Sequence, residues 1–227
     1  MGFLHKLMGI YENNRAKQYG QHHFPVFHYF HEEHNMFLLS LTILILSIII
    51  HEVAHGYAAN ALGDPTARHL GRLTLNPLAH IDWIGTVLFP LVAFASGIPL
   101  IGWAKPVPVD MRNLRAPRRD FALVALAGPV SNLALAAVGG VVLEALLAAS
   151  TGESPSLLVR TLFMAVLLNV MLAVFNMVPV PPLDGGNVLI GLVPYHVARS
   201  INWLRPYGFL IIYALMLTGI LTSIMGP

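Results

Sequence analysis

The sequence predicts an all-α polytopic membrane protein with about four transmembrane helices and a re-entrant or β-hairpin-like membrane element between the first and second. Three observations predict it. Hydrophobic residues make up 56% of the 227 and charged residues only 11%, whereas a soluble domain carries roughly 25% charged residues. Four apolar stretches come near or exceed the about 20 residues a helix needs to cross the hydrocarbon core. A fifth stretch has the length but is interrupted by prolines and glycines.

Residues 1–35 form a polar arm rich in histidine (His5, His22, His23, His28, His31 and His34), set against a single membrane-embedded domain over residues 36–227. The irregular spacing of these histidines fits an interfacial arm better than a metal site. The arm has no long apolar core, so it does not read as a cleavable signal peptide. The first span runs from Met36 to about Ala61. Ile84 to Trp103 follows, broken by Pro90, Gly97, Pro99 and Gly102. Phe121–Ala149, Leu157–Val178 and Tyr207–Met225 are the remaining candidate spans. No polar stretch is long enough for a separate domain of ordinary size.

Charge sets the orientation. Arg68, Arg72, Lys105, Arg112, Arg115, Arg118 and Arg119 fall between the first span and the second, and the turn from Ser150 to Ser156 holds no Lys or Arg. The positive-inside rule puts the basic segment, and later Arg199 and Arg205, in the cytoplasm. That requires Ile84–Trp103 to enter and return rather than cross, which irregular backbone can do when it packs on protein or lines a cavity. The first and third spans then run in the same direction, and their inner ends lie at similar depth. The net charge of +2 is too small to imply a nucleic-acid partner. The absence of cysteine excludes disulfides and Cys-ligated metal.

The first span ends in His51-Glu52-Val-Ala-His55. Positions i and i+4 share a helix face, so the two imidazoles can address one cation. Glu52 beside them can take a proton from a metal-bound water. Ionisable groups in an apolar span are costly and are expected to be paired, metal-bound or facing a wet cavity. A catalytic zinc has three protein ligands and an open position. The best third ligand is Asp184, after the proline-broken end of the third span and before Gly185 and Gly186; the competing reading is a helix N-cap. Glu52 has its own alternative, an ion pair with Arg68 or Arg72. The Asn176 amide is placed to donate to the oxyanion formed at a peptide carbonyl. Asn132 is expected to bond between helices, with Gly128 allowing close packing. His80 and Asp82 are expected to cap or anchor the start of the re-entrant element.

His51-Glu-x-x-His55, Gly128-Pro-x-x-Asn132 and Asn176-x-x-Pro-x-Pro-x-Leu-Asp184-Gly together resemble the site-2 protease family of intramembrane zinc metalloproteases. Asn76-Pro-Leu-Ala-His80-Ile-Asp82 and Gly102-Trp-Ala-Lys105-Pro-Val-Pro108 resemble its compact branch, without a PDZ domain. The resemblance covers about residues 40 to 190. It implies one Zn2+ per chain held by His51, His55 and Asp184, with Glu52 as base and Asn176 at the oxyanion. It also implies membrane-protein or membrane-tethered peptide substrates, cut from the cytoplasmic side of a prokaryotic cell membrane. A membrane divalent-metal transporter built on the same His and Asp residues is the alternative.

Overall fold

The computed structural model describes residues 34–96, 104–149 and 156–225. Apart from His34 and Asn35, the histidine-rich arm lies outside them, as does the 97–103 part of the interrupted element.

Three long helices form the frame: α1 (His34–Ala61), α4 (Pro117–Ala149) and α5 (Leu157–Asn176). The isoleucine-rich run of α1 is helical although β-branched residues favour strands, because in lipid only internal hydrogen bonding satisfies the backbone. Pro117 opens α4 at its first position, and the Asp120 carboxylate takes the Ala116 N–H at 2.7 Å, placing negative charge at the positive end of the helix. Ser156 caps α5 by accepting the Val159 N–H.

α4 runs antiparallel to its two neighbours. Ala59 near the end of α1 packs with Val124 near the start of α4. Leu143 near the end of α4 packs with Val159 near the start of α5. α1 and α5 are therefore parallel, as the charge pattern requires. All three are long and apolar enough to cross a membrane. Side chains such as Leu38, Leu133, Val141 and Leu158 face outward, as expected where the solvent is lipid.

Between α1 and α4 the chain makes α2 (Thr66–His69), a 3-10 turn (Pro77–His80), a six-residue π-helical stretch (Trp83–Leu88) and the eight-residue α3 (Phe89–Ser96). The last two together are only ~20 Å long by helical rise, short of a roughly 30 Å core. The described part of the interrupted element is thus helical, and no β-strand occurs among the described residues. Asp82 anchors the element through its side chain, whereas the His80 imidazole Nε2 faces the Thr74 carbonyl at 2.9 Å. Asp82 caps the π-helical stretch by accepting the Ile84 and Gly85 N–H groups, and the His80 carbonyl takes the Lys105 N–H.

After α5 come α6 (Asp184–Leu192), α7 (Tyr195–Trp203), α8 (Gly208–Leu217) and α9 (Ile220–Met225). The fourth expected span is therefore divided. Gly219 adopts φ 74°, the left-handed conformation that ends helices, and it separates α8 from α9. Three helices, not four, have crossing length and composition among the described residues. α6 is held against α4 by Arg118, whose guanidinium donates to the Ile190 and Val193 carbonyls at 2.9 and 2.5 Å. A cation at a helix C-terminus is favourable in its own right.

Candidate metal centre

His51 and His55 lie on one face of α1, about 15 Å and 9 Å from its C-terminal end by helical rise. Both are buried, at 5% and 8% exposure. Asp184 is the first residue of α6. It reaches the histidines because residues 177–182 fold back across the start of α6, where a Cβ on Gly185 or Gly186 would collide with the backbone of Met177–Pro181.

The three donor atoms converge. The two Nε2 atoms lie 3.1 Å apart, and Asp184 Oδ2 lies 3.0 Å from that of His51 and 3.3 Å from that of His55. The hydrogen bonds on the far side of each ring define the tautomers. His51 Nδ1 faces Asn132 Oδ1 at 2.5 Å, and His55 Nδ1 faces the Val124 carbonyl at 2.7 Å. Both partners are acceptors, so both Nδ1 atoms donate, and in the neutral ring each Nε2 then presents a lone pair. Asp184 Oδ2 is buried with no hydrogen-bond donor. Two lone pairs and a carboxylate oxygen cannot satisfy one another, whereas a single divalent cation satisfies all three. Tetrahedral zinc with bonds of about 2.0–2.1 Å has ligand atoms roughly 3.3–3.4 Å apart. The observed triangle is only slightly tighter, so the residues fit that ion. The N-cap reading of Asp184 fails: the cap position is Leu183, and no side chain caps α6.

Glu52 lies on the same turn of α1. Its Oε2 accepts the Val107 N–H at 2.8 Å. Arg72 is occupied elsewhere, donating to the Lys105 and Pro106 carbonyls at 2.8 and 3.3 Å. The non-helical segment Ala104–Asp110 is thereby tied at four points: to His80, Arg72, Glu52 and, through the Asp110 N–H at 2.7 Å, Asp64. Asp64 is fully buried. Burial pushes its pKa up, but hydrogen bonds from Thr66, Asn113 and Asp110 outweigh that and hold it below the ordinary value of 3.8.

Asn176 is half-buried at the end of α5, and its Nδ2 donates to the Leu172 carbonyl at 2.9 Å. Asn132 makes the expected interhelical bonds, but one of them lands on His51 itself. Asn169 escaped sequence reasoning altogether. It is buried in α5 and bonds to Asn132 at 2.9 Å. The available signal was an amide in the middle of the otherwise apolar run from Leu162 to Phe175. Gly128 packs directly on the centre: a Cβ there would lie 2.5 Å from His51 Nε2 and closer still to His55 Nε2.

The model of peptidase family M50 matches residues 145–217, a stretch that includes Asp184. A relative from Bacillus subtilis (strain 168), "Putative zinc metalloprotease YwhC", is 40% identical over 192 residues, covering 81% of this chain and 82% of its own. The chain belongs to peptidase family M50. A second relative, "Putative zinc metalloprotease Rip2" from Mycolicibacterium smegmatis (strain ATCC 700084 / mc(2)155), is 29% identical over 184 residues, covering 81% of this chain and 68% of the relative. Rip2 of Mycobacterium tuberculosis (strain ATCC 25618 / H37Rv) is 31% identical over 154 residues, covering 66% of this chain and 55% of that protein. No solved structure matches the chain. This M50 member is thus a zinc-dependent protease integral to the membrane, as the paired motifs predict. The transporter alternative finds no support among these relatives.

Proposed function

We propose that this protein cleaves peptide bonds in or near transmembrane segments of membrane proteins, with zinc held by His51, His55 and Asp184 and with Glu52 as the base. The observation that carries the reading is the convergence of three donor atoms within 3.3 Å of one another, two of them on a helix of crossing length, with a carboxylate next in sequence to the first.

Bound zinc supplies Lewis acidity and lowers the pKa of its water from about 15.7 towards about 7. The remaining work falls to the chain. His51 and His55 present lone pairs because their Nδ1 protons are committed to Asn132 and Val124. Glu52 keeps Oε2 on the Val107 N–H and uses Oε1 to take the proton of the attacking water, then returns it to the leaving amine. Asn176 Nδ2 spends one N–H on Leu172, and its second serves the developing oxyanion. The substrate is extended, because a helix hides its carbonyls in its own hydrogen bonds. It pairs as an added strand with Gly97–Val109, of which residues 97–103 lie outside the described residues. Proline at Val109 would remove one N–H from the segment; lost cleavage with zinc retained is expected, and unchanged cleavage counts against pairing.

The parallel course of α1 and α5 brings the site to the face that carries Arg68, Arg72, Arg112, Arg115, Arg118 and Arg119. In this reading that face is cytoplasmic, and water reaches the site from there. Residues 84–96, the described part of the interrupted element, enter the bilayer without crossing it, residues 207–225 complete a fourth crossing, and residues 36–227 act as one catalytic domain. The deciding assay is cleavage of a membrane-tethered substrate by wild type, by wild type with chelator, and by Glu52→Gln, with zinc content measured on each sample. Cleavage that persists in the variant at full zinc content would refute the assignment of the base.

A further inference from the structure

We propose that Asn169 is a positioning residue for the metal centre: through Asn132 it fixes which nitrogen of His51 carries the proton, and so sets zinc affinity. The inference rests on His51 being a zinc ligand.

The hydrogen bonds run in one direction across three helices. Asn169 Nδ2 donates to the Ala165 carbonyl at 2.8 Å and to Ser47 Oγ at 2.9 Å. A backbone carbonyl only accepts. The nitrogen of this amide is therefore pinned, and its oxygen must face Asn132. Asn132 Nδ2 donates to that oxygen at 2.9 Å and to the Ser47 carbonyl at 3.4 Å, a second obligate acceptor. Asn132 Oδ1 is then left facing His51 Nδ1 at 2.5 Å and can only accept. The His51 proton is held on Nδ1, and the Nε2 lone pair is turned towards His55 and Asp184. The polarity of the whole relay starts from a main-chain carbonyl in α5 and ends on a metal-facing lone pair in α1.

Burial makes the relay costly to leave unfilled. Asn132 is 0% exposed, Asn169 4% and Ser47 3%. An amide flipped the wrong way would oppose like groups with no water to compensate. The partners that orient a metal-bound histidine typically change metal affinity 10–100-fold when removed.

The test is zinc affinity of purified, metal-stripped protein in detergent, measured by competition with a chelating dye. Asn169→Ala and Asn169→Leu are both made; the second has the same branching and fills the space, so a folded variant survives if the cavity left by alanine is the difficulty. Either is expected to weaken zinc binding at least 10-fold, with a changed visible spectrum in the cobalt-substituted protein. Because Asn169 acts through Asn132, Asn132→Ala/Asn169→Ala should bind zinc no more weakly than Asn132→Ala alone. Wild-type affinity in a folded Asn169 variant, or losses that multiply in the double variant, overturns the proposal. His51→Ala separates the two layers. Its failure to bind zinc while Asn169 variants bind normally removes only this inference, and undiminished binding by His51→Ala removes the ligand assignment as well.

Discussion

Replacing Gly128 by alanine puts a methyl group where the metal-facing atoms converge. The added Cβ would sit 2.5 Å from both His51 Nε2 and His55 Cε1, and nearer to His55 Nε2. Ordinary contact begins at about 3.5 Å, so some part of the centre must move by roughly 1 Å. Helix α4 cannot simply withdraw. Val124 and Asn132, on either side of Gly128, hold His55 and His51 by hydrogen bonds of 2.7 and 2.5 Å. The imidazoles must turn instead. Overpacking of this kind costs about 1–3 kcal/mol. Taken from binding at about 1.4 kcal/mol per decade, that is a roughly 5–150-fold loss of zinc affinity. The matched control is Gly139→Ala in the same helix, where the methyl would meet only the ends of Val166 and Leu162, at 3.0 and 3.7 Å. Competition with a chelating dye on both variants should show weakened zinc binding in Gly128→Ala alone. Wild-type zinc affinity in a folded Gly128→Ala protein would refute the packing argument.

Three further outcomes are expected. Glu52→Gln still accepts the Val107 N–H through its amide oxygen, so zinc stays bound while single-turnover cleavage falls by about 10²–10⁴-fold, as for the loss of a general base. Chelator treatment abolishes cleavage, and added Zn2+ restores it in wild type but not in Asp184→Ala. Asp64→Asn leaves a donor facing donors in a buried cluster and costs about 1–3 kcal/mol, read by chemical denaturation. The Asp64 pKa is lower folded than unfolded, so its stabilisation is complete above about pH 3.8 and is lost as the pH falls through the folded value. The variant should lack that part of the acid limb.

The ligand set was legible because helical periodicity places His51 and His55 together whatever the fold. Asp184 was legible only once parity brought the first and third spans to the same face. Glu52 was expected near the metal, but its bond to the Val107 N–H depends on a segment 55 residues away. The role of Asn132 depends on the way α4 crosses α1, 81 residues apart in sequence, and composition carries no trace of that crossing. Asn169 was visible only as a polar residue in an apolar run, with nothing to say which way it pointed. The division of the last span was written in Gly219, a single glycine whose local conformation a hydropathy count does not weigh.

X-ray absorption at the zinc edge reads the coordination shell of the purified, zinc-loaded protein most directly. Two imidazole ligands and oxygen donors at about 2.0–2.2 Å are expected, falling to one imidazole in His51→Ala and losing a carboxylate oxygen in Asp184→Ala. A wild-type shell with three imidazoles, or one left unchanged by Asp184→Ala, would contradict the centre described here.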